Sequence, residues 1–231
     1  MKKLLSLSYY FLLATLLLTS CNKKDKSDPS KSGETAGHIA GMGYSRGKLE
    51  GTSFALPASV ELKGDIQGNQ FLLNISDRTD YCKKTGSGKF VSLKINLVNH
   101  SDKDTTFLFP AGLCFVAKDT ADQHGILLQE VKIALLKGEV CKAHLYAYCL
   151  NEHKAGSHSL SRYAFGPVSN SRLLNELISL LKNKQIDYSL ISDYDEYLNM
   201  VFLIQHVLWN ITDGKGLTDE NRMEMKNLPD M

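Results

Sequence analysis

The stretch Phe90-Val91-Ser92-Leu93-Lys94-Ile95-Asn96-Leu97-Val98 alternates between apolar and polar residues from position 91 to position 97. Successive side chains on a β-strand point to opposite faces. The aliphatic residues at the odd positions therefore share one face, and the polar residues at 92, 94 and 96 share the other. The pattern predicts a strand with one buried face, ended by the turn-forming cluster Asn99-His100-Ser101-Asp102.

Further short apolar runs on both sides of this strand, separated by Gly and Asp, predict more strands. They are Val60–Lys63, Phe71–Ile75, Phe107–Phe109, Leu113–Val116, Gly125–Val131, Ile133–Leu136 and Val140–Leu150. This spacing predicts an antiparallel β-sandwich over residues 49–151. The stretch from "VSLKINLVNHSDKD" to "FPAG" resembles an Ig-like extracellular sandwich.

The sequence pattern becomes helical from Ser169 onward. Ser169 or Asn170 is expected to cap a helix over Ser171–Asn183, and a second helix is expected from about Asp195 to Asn210. Thr218 is expected to cap a short final helix. The predicted fold class is α+β: one domain, residues 49–231, with a β-sandwich over 49–151 followed by a small C-terminal helical region, 169–226, packed on it.

The first residues have the three parts of a secretion signal. Lys2 and Lys3 supply positive charge, Leu4–Leu18 is apolar, and Leu18-Thr19-Ser20-Cys21 closes the segment. The Cys after small residues resembles the lipobox of bacterial lipoproteins, which implies removal of residues 1–20 and lipidation of Cys21. An uncleaved membrane helix is the alternative, but the apolar run is shorter than the roughly 20 residues of a span.

Residues 21–48 are rich in Lys, Ser, Gly and Asp, which predicts a flexible lipid-anchored tether. With 27 basic and 25 acidic residues the chain has a net charge of +2, which gives no reason to expect a nucleic-acid partner. Glu152, His153 and His158 lack the fixed spacing of a metal motif, so neither a metal nor another cofactor is predicted.

Two residues stand out in otherwise apolar surroundings. Cys149 shares the apolar face of the last predicted strand, and Gln205 interrupts the apolar stripe of the second predicted helix. A buried amide without hydrogen-bond partners costs about 1–3 kcal/mol. Gln205 therefore needs a partner inside the domain.

The sequences around these two residues, Tyr148-Cys149-Leu150 and Ile204-Gln205-His206-Val207-Leu208-Trp209, resemble the flanking motifs of bacterial thioester domains. The central Thr-Gln-x-Ala motif of that family is absent. The resemblance implies that the Cys149 sulfur and the Gln205 side-chain carbonyl join with loss of ammonia, giving an acyl electrophile that a partner amine attacks. Tyr148, Leu208 and Trp209 would exclude water from the bond, and His206 would assist proton transfer.

Disulfides are the competing use of the cysteines. In an exported protein Cys82, Cys114, Cys141 and Cys149 allow three pairings. Cys141 and Cys149 lie on one predicted strand, about 26 Å apart, and cannot pair with each other. A disulfide at Cys149 would exclude the thioester, and a buried free thiol is an equally ordinary alternative for such a cysteine.

These features predict an adhesion or binding module of the cell envelope, held at the outer membrane or cell surface by lipid on Cys21. Its partner is expected to be a protein or another surface ligand. The alternative is a non-covalent binding or structural lipoprotein in which Cys149 and Gln205 are core residues. The sequence contains no hydrolase, phosphate-loop or dinucleotide motif, so an enzyme is not predicted.

Overall fold

The computed structural model describes residues 34–70 and 82–231. The predicted signal, Cys21 and the predicted strand Phe71–Ile75 lie outside these residues. In the part described, no helix combines the length and apolar character needed to cross a membrane.

The described residues form eleven strands. They are β1 (Gly51–Thr52), β2 (Val60–Leu62), β3 (Ile66–Asn69), β4 (Lys83–Gly86), β5 (Val91–Asn99), β6 (Thr105–Phe109), β7 (Leu113–Ala117), β8 (Gly125–Ile126), β9 (Val131–Leu135), β10 (Val140–Cys149) and β11 (Arg162–Ser169). β6 and β9 pair as a separate antiparallel ribbon, and the other strands belong to one sheet.

The large sheet closes on itself. The order β5-β3-β11-β7-β8-β10 returns to β5, because β10 is long enough to pair with two partners. Its residues 140–147 pair with β5 and its last two residues pair with β8, all antiparallel. β4 adds to β10 in parallel, β2 adds to β5 and β1 adds to β11.

The predicted fold class, an Ig-like β-sandwich followed by a packed helical region, is therefore wrong. The alternating pattern of β5 correctly indicates one buried face, but that face lines the inside of a closed cylinder rather than one wall of a sandwich. Val91, Leu93, Ile95 and Leu97 are fully buried there. Alternation determines which face is buried and does not determine whether a sheet closes, so both architectures satisfy the same pattern.

Three α-helices follow the last strand within the described residues. The first is α1 (Arg172–Leu181), and its cap is Ser171 rather than the predicted Ser169 or Asn170. The second is α2 (Tyr194–Thr212), capped by Asp193. The third is α3 (Asp219–Lys226), capped by Thr218 as expected, with Asn221 completing a capping box.

Two groups of buried side chains hold this structure together. One fills the cylinder with side chains of β5, β7, β9 and β10. The other lies between the helices and the outer face of the strands, and includes Tyr148, Leu150, Ile204 and Leu208. A disulfide joins Cys82 to Cys141, with a Cα–Cα distance of 5.3 Å. Cys114 and Cys149 are free and buried.

The segment Glu34–Lys48 belongs to the folded body, although the sequence places it in the tether. Ile39 and Met42 are buried among the helical core residues. The Gly37 N–H donates to the carbonyl of Ile211 at 3.0 Å, and the Gly43 N–H donates to that of Leu150 at 2.8 Å. The predicted start of the domain at residue 49 is therefore too late.

Candidate functional site

Cys149 and Gln205 contact each other directly. The Gln205 Oε1 accepts from the Cys149 N–H at 2.8 Å, and the Gln205 Nε2 donates to the Cys149 carbonyl at 2.8 Å. Both residues are fully buried. The amide that interrupts the apolar stripe of α2 is thus satisfied by the main chain of the residue with which the sequence associates it.

The register of β10 explains why these main-chain groups are available. β5 covers β10 only as far as the pair Val91–Ala147, two residues before Cys149. On its other edge β10 turns to β8, where the Leu150 N–H donates to the His124 carbonyl. Gln205 therefore takes the place of a strand partner beyond the end of β5.

The Cys149 thiol is free, in contrast to the disulfide alternative. Its Sγ accepts a hydrogen bond from the Asn151 N–H at 3.2 Å. Burial raises the pKa of the Cys149 thiol to about 12, while the Asn151 N–H and the Trp209 indole lower it by smaller amounts and the Asp213 carboxylate raises it. The group is therefore a neutral thiol at pH 7.

The four residues named as supporting the site have different positions. Tyr148 and Leu208 are fully buried in the helical core. Trp209 is partly buried, with its ring centroid 5.4 Å from that of Phe90. His206 is exposed, one helical position round from Gln205.

The indole of Trp209 approaches the Cys149 thiol closely enough to lower its pKa, although it makes no hydrogen bond of normal geometry. Its buried Nε1 has no hydrogen-bond partner among the described residues. A buried N–H donor without an acceptor is unusual in folded proteins. It provides an unused donor beside the thiol.

Gln205, Trp209 and Asp213 follow one another at intervals of four residues at the C-terminal end of α2, so they lie on one face of the helix. Asp213 is the C-cap, and its N–H donates to the Trp209 carbonyl at 2.8 Å. Its Oδ2 accepts from the Thr212 hydroxyl at 3.0 Å, whereas its buried Oδ1 has no partner in the described part of the chain. Burial raises the pKa of this carboxyl.

Sequence reasoning missed two of these residues. Asp213 precedes Gly214 and has the signature of a helix stop, and Asn151 begins a polar loop. Asn151 is in fact buried and fully paired: its Nδ2 donates to the carbonyls of Gly41 and Gly43, each at 3.1 Å, and its Oδ1 accepts from the His124 N–H at 3.2 Å. The only sequence signal that could have identified Asn151 is the position of a polar residue directly after an apolar strand.

The histidines of the neighbouring loop are not gathered around one centre. His153 stacks on Tyr44 with ring centroids 4.2 Å apart, and His158 lies 3.3 Å from the Asp122 carboxylate. Within residues 34–70 and 82–231, no group of three or more His, Cys, Asp or Glu side chains is placed to hold a metal ion.

The arrangement brings a protonated thiol, an amide carbonyl and two N–H donors into one buried region. The Cys149 N–H polarises the Gln205 carbonyl, and the neighbouring amide nitrogen is held by the Cys149 carbonyl. Donors aimed at a carbonyl oxygen stabilise the charge that develops when a nucleophile attacks it. The chemistry compatible with these groups is acyl transfer between sulfur and nitrogen.

Comparison of the chain with protein-family models, with curated proteins and with solved structures finds no match in any of the three.

Proposed function

We propose that this protein is a lipid-anchored binding module of the bacterial cell envelope whose Cys149 and Gln205 form an internal thioester. The observation that carries the proposal is the buried contact between the two residues. The Gln205 amide is fixed on the Cys149 main chain by two 2.8 Å hydrogen bonds. The proposal is also supported by the Cys149 thiol, which is not part of a disulfide.

Formation of the bond would need no external reagent. The Cys149 sulfur attacks Cδ of Gln205, the C–S bond forms, the C–N bond breaks, and the thiol proton leaves with the nitrogen as ammonia. A partner amine then attacks the thioester carbonyl. The new amide bond forms as the C–S bond breaks, and the proton released by the amine restores the Cys149 thiol.

The surroundings favour this chemistry in two respects. The Cys149 N–H already donates to the Gln205 Oε1 at 2.8 Å, and it is a donor suited to the oxyanion of each step. The complete burial of Cys149 and Gln205 keeps out the water that would hydrolyse the thioester.

The location belongs to the same proposal. The lipobox at Cys21 would place the chain on the outer side of a bacterial membrane, at the outer membrane or cell surface. The Cys82–Cys141 disulfide is of a kind that persists in oxidising, extracytoplasmic compartments. The partner would be a protein or other surface ligand that presents an amine, and no nucleic acid is involved.

One observation favours the second candidate, a non-covalent module. Both polar atoms of the Gln205 amide already have partners on Cys149, so a purely structural role would also account for its burial. In that case Gln205 fastens α2 to the end of β10 and the thiol stays free.

Methylamine distinguishes the two candidates. A thioester would react with it, adding about 31 Da and releasing the Cys149 thiol. We expect the full-length wild-type chain to form this adduct and the Cys149→Ala and Gln205→Ala variants to form none. Cys114→Ala is the matched control, because Cys114 is also a buried free thiol, and it should react like wild type. Absence of an adduct on folded wild-type protein would overturn the thioester and leave the non-covalent module.

A further inference from the structure

A cavity of about 280 Å³ opens to solvent beside Asn151, two residues along the chain from Cys149. One wall is the loop from Gly41 to Gly47, and the other is formed by His124 and residues 151–154. Asn151 separates this cavity from the thiol: it lines the cavity, and its N–H donates to the Cys149 Sγ.

Hydrogen bonds to residues 150 and 151 hold the loop wall in place. The side chain of Asn151 donates to the carbonyls of Gly41 and Gly43, and the Gly43 N–H donates to the Leu150 carbonyl. Gly43 has a φ of 53°, and a Cβ there would collide with the carbonyl oxygen of Thr212. The cavity is therefore built from the same hydrogen bonds that surround the end of β10.

The charged groups of the lining are positive. Arg46 is exposed and Lys154 is half-buried, and neither forms an ion pair among the described residues. Glu152 and Asp213 lie nearby, but neither lines the cavity. The cavity is thus lined by two basic side chains, neither of which is paired with a carboxylate of the described residues.

His124 adds a hydrogen-bond donor. Its Nδ1 accepts from the Ala117 N–H at 3.0 Å, so the neutral ring carries its proton on Nε2. Burial and the charge of Lys154 lower the pKa of His124 to about 4, which keeps the ring neutral at pH 7. With the two cations and the Ser45 hydroxyl, the polar lining consists mostly of donors, which suits an anionic ligand.

We propose that this cavity binds a carboxylate-rich peptide segment of the partner and that a lysine within that segment is the amine acylated at Cys149–Gln205. Binding of the acidic segment is independent of the thioester, whereas acylation of its lysine rests on the proposed function. A peptide fits better than an acidic polysaccharide because a thioester carbonyl reacts with amines in preference to hydroxyls.

Binding can be tested without the reaction. The probe is a fluorescent peptide with the core Glu-Glu-Gln-Glu-Glu, and the protein is the full-length Cys149→Ala variant, which forms no thioester. We expect saturable anisotropy binding that weakens at high salt and falls by about tenfold or more in Arg46→Glu/Lys154→Glu. Lys132→Glu reverses an exposed charge that lies outside the cavity lining and should bind like its parent.

The reaction is tested with Glu-Glu-Lys-Glu-Glu against Gln-Gln-Lys-Gln-Gln on wild-type protein, by the rate of covalent adduct formation. We expect the acidic peptide to react at least about tenfold faster than the neutral one, with each rate divided by the methylamine rate of the same variant. This ratio should fall to about one in Arg46→Glu/Lys154→Glu and be retained in Lys132→Glu.

The outcomes separate the two proposals. Equal binding of acidic and neutral peptides, or binding unaffected by the double charge reversal, overturns the cavity proposal even if the methylamine adduct forms. Specific binding of the acidic peptide with no adduct from either the lysine peptide or methylamine overturns the thioester and leaves the binding part of the cavity proposal standing. A methylamine adduct without a lysine-peptide adduct overturns the proposal that a lysine of the bound segment is acylated. A polyuronate that binds more tightly than the acidic peptide would overturn the choice of a peptide ligand.

Discussion

Replacing Gln205 with Leu removes the two hydrogen bonds that join α2 to the end of β10 while nearly preserving side-chain volume. The Cys149 N–H and carbonyl would then be left unpaired in a fully buried position. Each buried polar group that loses its partner costs about 1–3 kcal/mol. We therefore expect the loss of these hydrogen bonds alone to lower the free energy of unfolding of Gln205→Leu by roughly 2–5 kcal/mol, and a thioester in the wild-type chain would add its own contribution to the loss.

Urea denaturation of the full-length chain, with an unchanged m-value, measures this loss. Gln185→Leu is the matched control, because the Gln185 amide donates a single exposed hydrogen bond to the Leu190 carbonyl. That variant should stay within about 0.5 kcal/mol of wild type. A Gln205→Leu variant no less stable than Gln185→Leu would refute the reasoning that Gln205 is the required partner of the Cys149 main chain.

The same assay reports on the thioester when Cys149→Ala is added. Cys149 and Gln205 are 56 residues apart, and closing a loop of that length by a covalent bond contributes about 4 kcal/mol. Gln205→Leu and Cys149→Ala would each remove the loop-closure contribution to stability. The double variant would remove the same contribution once, not twice. We expect a coupling of about 4 kcal/mol between the two sites. A coupling below about 1 kcal/mol would contradict the thioester but not the main-chain pairing.

Three further outcomes follow from the geometry. Trp209→Phe keeps the ring contact with Phe90 and removes an N–H that has no partner, so its free energy of unfolding should stay within about 0.5 kcal/mol of wild type, whereas Trp209→Ala should lose about 3 kcal/mol or more. The pKa of His124 is lowered from 6.5 to about 4, so its contribution to stability is complete above pH 6.5 and is lost as the pH falls towards 4. Between these two pH values, His124→Gln should reduce the loss of unfolding free energy by about 2 kcal/mol after allowance for solvent screening. Reducing the Cys82–Cys141 disulfide, which spans 59 residues, should lower the free energy of unfolding by roughly 2–4 kcal/mol, and Cys82→Ser should make the protein insensitive to reductant.

The elements with regular patterns could be predicted from the sequence, and their pairing could not. Alternation located β5, and cap residues located the helices to within a few positions. Closure of the sheet depends on β8, a strand of only two residues within the predicted run Gly125–Val131, and no periodicity reveals that it pairs with both β7 and β10. β11 was missed because Gly166-Pro167 normally interrupts a strand; the structure accommodates these residues as an irregularity between Phe165 and Val168.

The candidate site was predictable for a similar reason. A polar residue inside an apolar stripe requires a buried partner, and the resemblance to thioester-domain motifs associated Gln205 with Cys149, whose main chain it contacts. The sequence could not indicate that the partner atoms belong to the Cys149 main chain, because this depends on where β5 ends relative to β10. Asp213 and Asn151 were missed because a helix stop and a loop residue account for them equally well.

The accurate mass of the freshly purified full-length protein tests the central claim most directly. A Cys149–Gln205 thioester predicts a mass about 17 Da below that expected from the sequence and its other modifications, through loss of one ammonia. The deficit should disappear in Cys149→Ala and Gln205→Ala and persist in Cys114→Ala. A wild-type mass without this deficit, in protein shown to be folded, would contradict the thioester.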